Sequence, residues 1–234
     1  INPELEYLVV PVTVLILALL FTFQFKGTHN LGKVFGPVMI TWFITLSVIG
    51  IYQITLNPES LVALNPMYAA NFVIDHGFQT LFVMASVILA VTGAEALFAD
   101  LGHFGRGPIR IGWFGLAGIA LPLSYFGQGA LLLRDPSAIG NSFFGMVPAG
   151  IPALLLLLIT TMATIIASQA LISAVASLAS QASQLGLLPR LRIKHTNQEE
   201  RGQIFVPFVN TVVGLGSIAL VVIFGSSSAL AGAY

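Results

Sequence analysis

The sequence predicts an all-α, polytopic membrane protein with about six transmembrane helices. Hydrophobic residues make up 56% of the 234-residue chain and charged residues only 8%, whereas soluble globular proteins average about 25% charged residues. Several apolar stretches also reach the roughly 20 residues that a helix needs to cross a bilayer. A water-soluble fold of this length would lack the charged side chains to cover its surface, so the lipid bilayer is the expected environment.

Six apolar stretches are long enough to be predicted as spans. In chain order they cover residues 5–25, 36–54, 81–102, 111–133, 147–179 and 207–224. The second span is predicted to open at Pro37, because proline is tolerated in the first helical turn. The fifth is predicted to continue into a polar stretch and to stop at Pro189, and the tail SSSALAGAY is predicted to start a seventh helix.

The basic residues alternate between loops. Eight of the nine Lys and Arg residues follow the first, third and fifth spans, and only Arg134 follows the fourth. Because basic residues accumulate in cytoplasmic loops, the loops at about 26–35, 103–110 and 182–205 are predicted to be cytoplasmic, with the chain in the plasma (inner) membrane. The third span then runs from outside to inside. We interpret the basic cluster of the last loop chiefly as an orientation signal beside anionic lipid.

The external connection at residues 55–79 is predicted to hold a short interfacial segment. Tyr68 and Phe72 are spaced i, i+4, so one helical face would place both aromatic side chains at headgroup level. Both ends of the chain adjoin apolar runs, and the first residue is Ile1 rather than Met. We therefore interpret residues 1–234 as a single, partial transmembrane domain that forms an internal piece of a longer protein.

Composition and motifs disfavour several classes of function. There is no cysteine, so the sequence predicts neither disulfides nor a thiolate zinc site. There is no basic tract for nucleic acid and no zinc-protease, nucleophile-elbow or phosphate-loop motif. We expect no enzymatic activity and no cofactor. The expected partners are lipid and transported ions, and a homo-oligomer is one assembly that the sequence allows.

Glu95 lies in the middle of the third predicted span, within AVTGAEALFAD. An ionisable group in hydrocarbon costs about 2.5 kcal/mol or more, and such groups commonly mark ion paths or proton relays. Thr92 shares a helix face with Glu95, and Gly93 between them tolerates an unwound backbone with free carbonyls. Hydroxyl, carbonyl and carboxylate oxygens suit a hard cation. The alternative is a protonated glutamic acid that hydrogen-bonds a neighbouring helix at a small-residue packing site.

Asp100 and His103 follow at the predicted cytoplasmic end of the same span. Asp100 is either a relay or gate residue, paired with Arg106 or Arg110, or an interfacial charge that water satisfies; the second interpretation is slightly favoured. Two acids and a histidine along one path would suit proton movement, because a raised carboxyl pKa permits exchange near neutral pH.

Two later spans carry polar residues that are candidates for lining a cavity. Tyr125 and Gln128 are spaced i, i+3 near the end of the fourth span, and Ser168 and Gln169 lie near the middle of the fifth. The usual role of such residues is to hold helices together in lipid, and lining a cavity is the alternative.

Several longer segments resemble a known family of transporters. They are KGTHNLGKVFGPVMITWF, VTGAEALFADLGHFGRGPIRIGWF, LSYFGQGALLL and ASQALISAVASLASQASQLGLLPRLRIKHTNQEERGQIFVPFVN. In this order they are similar to the potassium uptake permeases of the KUP/HAK/KT family, along nearly the whole chain.

The resemblance implies a LeuT-like, amino acid–polyamine–cation (APC) type fold of two inverted five-helix repeats, with the six spans as the family's fourth to ninth helices. It implies a secondary active transporter that imports K⁺, generally with H⁺. The family's threonine and glutamate on its broken sixth helix map onto Thr92 and Glu95, as a partial K⁺ site. Thr92 would offer an oxygen to K⁺, and Glu95 would neutralise the cation, exchange the proton, or both.

Two other functions stay open beside K⁺ import. The same fold could carry an amino acid or a different cation, since fold does not fix substrate. The chain could also be a non-transporting membrane scaffold, in which Glu95 is a structural hydrogen-bonding group.

Overall fold

The computed structural model describes residues 7–26, 29–91, 105–195 and 204–233, and these residues are mostly helical. The helices, in chain order, are α1 (Val9–Phe23), α2 (His29–Leu56), α3 (Pro66–His76), α4 (Thr80–Val91), α5 (Arg106–Gly112), α6 (Gly118–Arg134), α7 (Ile151–Gln184), α8 (Pro207–Phe224) and α9 (Ser227–Ala233). Two short strands, β1 (Lys194–His195) and β2 (Ile204–Phe205), pair antiparallel.

Short 3₁₀ and π segments join several of these helices. The 3₁₀ turns are Gln24–Lys26, Pro58–Leu64, Gly77–Gln79, Pro136–Asn141 and Phe144–Met146, and a π-helical stretch, Trp113–Ala117, connects α5 to α6. In this way α3 runs into α4, and α5 into α6, with little interruption of the helical path.

Five helical stretches of the described residues are long and apolar enough to cross a membrane. They are Val34–Leu56, Pro66–Leu89, Arg106–Arg134, Ile151–Gln184 and Pro207–Phe224, and Val9–Phe23 is a shorter apolar helix. The multi-pass architecture is therefore confirmed. Tyr68 and Phe72 lie on helix α3, as their spacing predicted, and the apolar helical run that continues through α4 begins at Pro66. The interfacial position of this segment stays a prediction.

Two predicted helix boundaries were wrong. Helix α2 begins at His29, so Pro37 lies inside the helix instead of opening it. Proline lacks a backbone N–H and interrupts one helical hydrogen bond, which membrane helices tolerate when other groups compensate locally. The Thr41 hydroxyl, one turn further along, donates to the Pro37 carbonyl (2.9 Å), a common contact of threonine with the preceding helical turn.

Helix α7 ends at Gln184, five residues before the predicted stop at Pro189. Gly186 has a positive φ of 76°, and the backbone closes around it in a Schellman motif. The N–H of Gly186 donates to the Ser183 carbonyl (3.2 Å), and that of Leu187 donates to the Ala182 carbonyl (2.9 Å). A glycine that accepts the left-handed conformation thus ends the helix before the proline is reached.

The chain folds into two compact units. The first contains α1, the second half of α7, the strand pair, α8 and α9. In this unit α8 packs on α1, and a Cβ at Gly214 would lie 3.0 Å from Cγ of the Phe21 ring. The two helices can therefore come this close because Gly214 has no side chain where it faces the Phe21 ring.

The second unit contains most of α2, then α3 to α6 and the first half of α7. Helices α2 and α6 touch backbone to backbone where Gly50 meets Gly127. A Cβ at Gly127 would lie 2.7 Å from Cα of Gly50, and one at Gly50 would overlap the Leu123 carbonyl. Small residues commonly permit such close approach of membrane helices.

Candidate functional site

The residues predicted to form the ion site lie outside the described residues. These are Thr92, Gly93, Glu95, Asp100 and His103. Helix α4 leads directly to them, since its last described residue is Val91. Their roles stay predictions. The polar contacts reported below are those made among the described residues.

The first unit holds an amide cluster formed by Gln24, Gln169, Ser173 and Asn210. Gln24 lies in the turn after α1, and Gln169 and Ser173 lie one turn apart on α7. The Gln169 amide donates to Oε1 of Gln24, and Nε2 of Gln24 donates to the Ser173 hydroxyl (3.2 Å). Gln24 and Gln169 are 6% and 5% exposed. Their side chains therefore link α1 to α7 in a buried setting.

Asn210 extends this cluster to α8. Its Nδ2 donates to the Phe21 carbonyl on α1 (3.1 Å). Asn210 and Gln24 line the same narrow crevice, whose other walls are mainly apolar. The cluster thus joins three helices through side-chain amides, as expected for polar residues between membrane helices.

Two oxygens of the amide cluster have no hydrogen-bond donor among the described residues. They are Oε1 of Gln169 and Oδ1 of Asn210. A buried polar atom without a partner costs about 1–3 kcal/mol. Each oxygen can accept a hydrogen bond from water or from another donor, so the cluster is only partly satisfied.

The second unit holds a polar anchor that the sequence analysis did not identify. It consists of Gln53, Arg134 and the Met146 carbonyl. Nε2 of Gln53 donates to the Met146 carbonyl (2.6 Å), and Nη2 of Arg134 donates to Oε1 of Gln53 (3.2 Å). Gln53 is 3% exposed, so both ends of its amide are satisfied where water is scarce.

The sequence offered only a weak signal for this anchor. Arg134 stood out only as the one basic residue that follows the fourth predicted span. Its guanidinium reaches Gln53, 81 residues earlier in the chain.

Asp135 hydrogen-bonds to the backbone that follows it, outside the membrane-spanning helices. The Ser137 hydroxyl (2.6 Å) and the Ser137 N–H (3.1 Å) both donate to Oδ1 of Asp135. These hydrogen bonds, together with the nearby Arg134 charge, hold the pKa of the Asp135 carboxyl below its ordinary value of 3.8.

The four cavity candidates occupy different surroundings. Gln169 is buried in the amide cluster, and Ser168 beside it is half-buried. Gln128 is half-buried between two hydroxyls, donating to Ser124 (3.5 Å) and accepting from Ser142 (3.0 Å). Tyr125 is 50% exposed and lines an open, mostly apolar groove. Their role in lining a transport cavity stays a prediction.

Within the described ranges, no group of three or more His, Asp or Glu side chains lies close enough to hold a metal ion. The side chains of those ranges that form hydrogen bonds between helices are amides, hydroxyls and one guanidinium. These groups are suited to hold helices together rather than to chelate a multivalent metal.

The helices and the alternating loop charges define the class of this molecule as a multi-pass membrane protein. The family model described as "K+ potassium transporter integral membrane domain" matches residues 1–234. The chain therefore belongs to this family of potassium transporters. No solved structure matches it.

Curated relatives are similar over the whole chain. It is 53% identical over 234 residues to the probable potassium transport system protein Kup 1 of Rhodopseudomonas palustris, covering 100% of this chain and 38% of that protein. It is 52% identical over 232 residues to a probable potassium transport system protein Kup 2 of Paramagnetospirillum magneticum (99% and 36%). It is 50% identical over 234 residues to the low affinity potassium transport system protein Kup of Pectobacterium carotovorum (99% and 37%). The chain thus spans less than two fifths of the length of these relatives.

Proposed function

We propose that the complete protein is a secondary active transporter that imports K⁺ across the plasma (inner) membrane, coupled to H⁺ symport. The observation that carries the proposal is Glu95, a carboxyl group in an apolar run of a chain that belongs to the potassium transporter family. Names of relatives at 50–53% identity, which refer to potassium transport, support the choice of ion.

The proposed K⁺ site is partial within this chain. Thr92 offers a hydroxyl oxygen, Gly93 permits a local break that frees backbone carbonyls, and Glu95 supplies negative charge. Such oxygens replace the hydration shell of a monovalent cation, and unwound helices provide them near the midplane of transporters. The remaining ligands would come from helices that the longer relatives have in addition.

Proton coupling is proposed at the same helix. Glu95 exchanges a proton with the transport pathway, and Asp100 and His103 form a proton relay or a gate further along the same segment. A carboxyl group that is buried without a cation favours its protonated form, while a bound cation favours the charged form. Because symport requires K⁺ and H⁺ to be carried together, a proton that leaves Glu95 when K⁺ binds must be held by Asp100 or His103 until both ions are released inside.

The proposed fold is of the LeuT-like, APC type, with residues 1–234 as part of one transmembrane domain and the basic loops on the cytoplasmic side. The distribution of Lys and Arg supports this orientation.

The test is growth of cells that lack K⁺ uptake and express the complete gene product. Glu95→Gln keeps the size of the side chain and removes its charge, so growth at low external K⁺ should fail while membrane expression persists. Glu59→Gln is the matched control, because Glu59 lies in the 3₁₀ turn Pro58–Leu64, outside the long apolar helices. Normal growth of the Glu95→Gln strain would refute the assigned role.

A competition assay separates K⁺ import from transport of another substrate. Uptake of radioactive Rb⁺ should be reduced by K⁺ and unaffected by amino acids. Reduction by an amino acid, with no effect of K⁺, would favour the other substrate class. Acidification of the cell interior on addition of K⁺ is expected for symport, and its absence during active Rb⁺ uptake would remove H⁺ from the proposal.

A further inference from the structure

The polar segment after α7 carries three basic residues at every second position. They are Arg190, Arg192 and Lys194, all exposed, while Leu191 and Ile193 between them are half-buried. Alternation with a period of two is the pattern of an extended chain with one face packed and one face free. The three cations, here called the basic ladder, therefore project from the same side.

The basic ladder is held in place at its beginning by the end of α7. The hydroxyl of Ser183 donates to the Pro189 carbonyl (3.0 Å) and accepts a hydrogen bond from the Leu191 N–H (3.4 Å). One side chain of the membrane helix thus fixes the backbone on either side of Arg190.

The far end of the basic ladder is held by the strand pair. Lys194 pairs with Phe205, which lines the crevice beside the amide cluster. The next residue, Val206, is 1% exposed and precedes α8. The ladder is therefore tied at one end to α7 and at the other to a segment buried against the helices.

We propose that the basic ladder is a binding surface for the phosphate headgroups of anionic phospholipids. It lies within ten residues of the end of one membrane-long helix and on the same connection as the start of the next, which keeps it near the headgroup layer. Side chains two residues apart on an extended chain are about 6.5–7 Å apart, so each can contact a separate phosphate. A fixed row of cations loses less conformational entropy on binding than a mobile loop.

This inference is independent of the transported ion and of the roles of Thr92 and Glu95. It differs from a general orientation signal, because it requires the cations to stay on the exposed side of an ordered segment. Each juxtamembrane basic residue raises the affinity for an anionic membrane surface by a factor of about five. A measurement on all lipids that surround the protein shows a smaller change, because only some of those lipids contact the basic ladder.

The test uses the complete gene product in phosphatidylcholine bilayers with trace spin-labelled lipid. Electron paramagnetic resonance gives the association constant of labelled phosphatidylglycerol relative to labelled phosphatidylcholine. Replacing Arg190, Arg192 and Lys194 together by Gln should lower this ratio by about threefold or more. Arg134→Gln, at the end of α6 and outside the basic ladder, should leave it unchanged. An unchanged ratio in the triple variant would overturn the proposal.

A register control separates geometry from net charge. Exchanging Arg190 with Leu191 and Arg192 with Ile193 keeps the composition and moves two cations to the packed side. The ratio should fall as in the Gln variant, and full retention would overturn the ladder geometry. Inorganic phosphate should compete no better than chloride at equal ionic strength; stronger competition would identify a site for free anions instead of lipid.

Discussion

The amide cluster of the first unit and the α2–α6 contact of the second unit hold helices together in different ways. In the second unit, Gly50 and Gly127 let two backbones touch, and Gln53 is satisfied at both ends by Arg134 and a carbonyl. In the first unit, amide side chains bridge the helices, and two of their oxygens have no donor within the part of the chain that the structure describes. The comparison indicates that the amide of Gln53 beside the α2–α6 contact has all its hydrogen-bonding partners, whereas the amide cluster can still accept hydrogen bonds from another polar group.

The largest expected effect is at the glycine contact. Gly127→Ala places a methyl group 2.7 Å from Cα of Gly50, so the two helices must separate. Overpacking of this kind costs about 1–3 kcal/mol, which should appear as a clear fall in the thermal unfolding temperature in detergent. Gly129→Ala is the matched control on the same helix, because nothing lies within 4 Å of its Cβ position. Equal stability of the two variants would refute the close contact.

The next effect is expected at the polar anchor. Gln53→Leu leaves the Met146 carbonyl and the Arg134 guanidinium without their amide partner, and loss of a buried hydrogen-bonding partner costs about 1–3 kcal/mol. A double-mutant cycle with Arg134→Met should give a coupling energy of about 1 kcal/mol, measured by denaturant unfolding. Additive effects of the two substitutions would show that Gln53 and Arg134 do not interact.

The amide cluster should behave in the opposite way. Gln24→Leu alone leaves the buried Gln169 amide without its hydrogen-bond acceptor, which costs about 1–3 kcal/mol of stability. Replacing both partners by apolar groups is often nearly neutral. The double variant Gln24→Leu/Gln169→Leu should therefore be more stable than Gln24→Leu alone. A double variant that is less stable than either single variant would mean that the cluster is as complete as the polar anchor.

The smallest effect is expected at the exposed Asp135, beside the polar anchor. Its folded-state pKa is lowered, so its contribution to stability is present above the unfolded-state pKa and is lost as pH falls through the folded value. Ser137→Ala removes the hydroxyl hydrogen bond that does most to lower the pKa of Asp135, so it should weaken the decline of the unfolding temperature below pH 3.8. Asp135→Asn, which cannot titrate, is the control. Identical acid profiles of wild type and Ser137→Ala would contradict this assignment.

Hydropathy alone predicted much of the helical architecture. The span at residues 207–224 agrees with α8 at both ends, since Pro207 lies in its first turn and Gly225 caps it in the left-handed conformation. Boundaries set by local polar chemistry were harder to predict. The helix stop at Gly186 depends on a backbone motif, and polar residues before Pro37 concealed the first turns of α2.

The contacts between helices could not be predicted from the sequence. Gln24 and Gln169 are 145 residues apart, and a hydropathy pattern does not say which buried amides meet. Gln169 was recognised as a polar residue in mid-span, whereas its partner Gln24 was not. The proposed ion site is the reverse case, since Glu95 is conspicuous in the sequence and itself lies outside the described residues.

The most direct measurement is the initial rate of Rb⁺ uptake per molecule of the complete protein in the membrane. It compares wild type, Glu95→Gln and the double variant Gln24→Leu/Gln169→Leu. The account predicts that uptake is lost in Glu95→Gln and changes by less than about threefold, or 0.7 kcal/mol in the barrier, in the double variant. Uptake that survives in Glu95→Gln and disappears in a stably folded double variant would contradict the account.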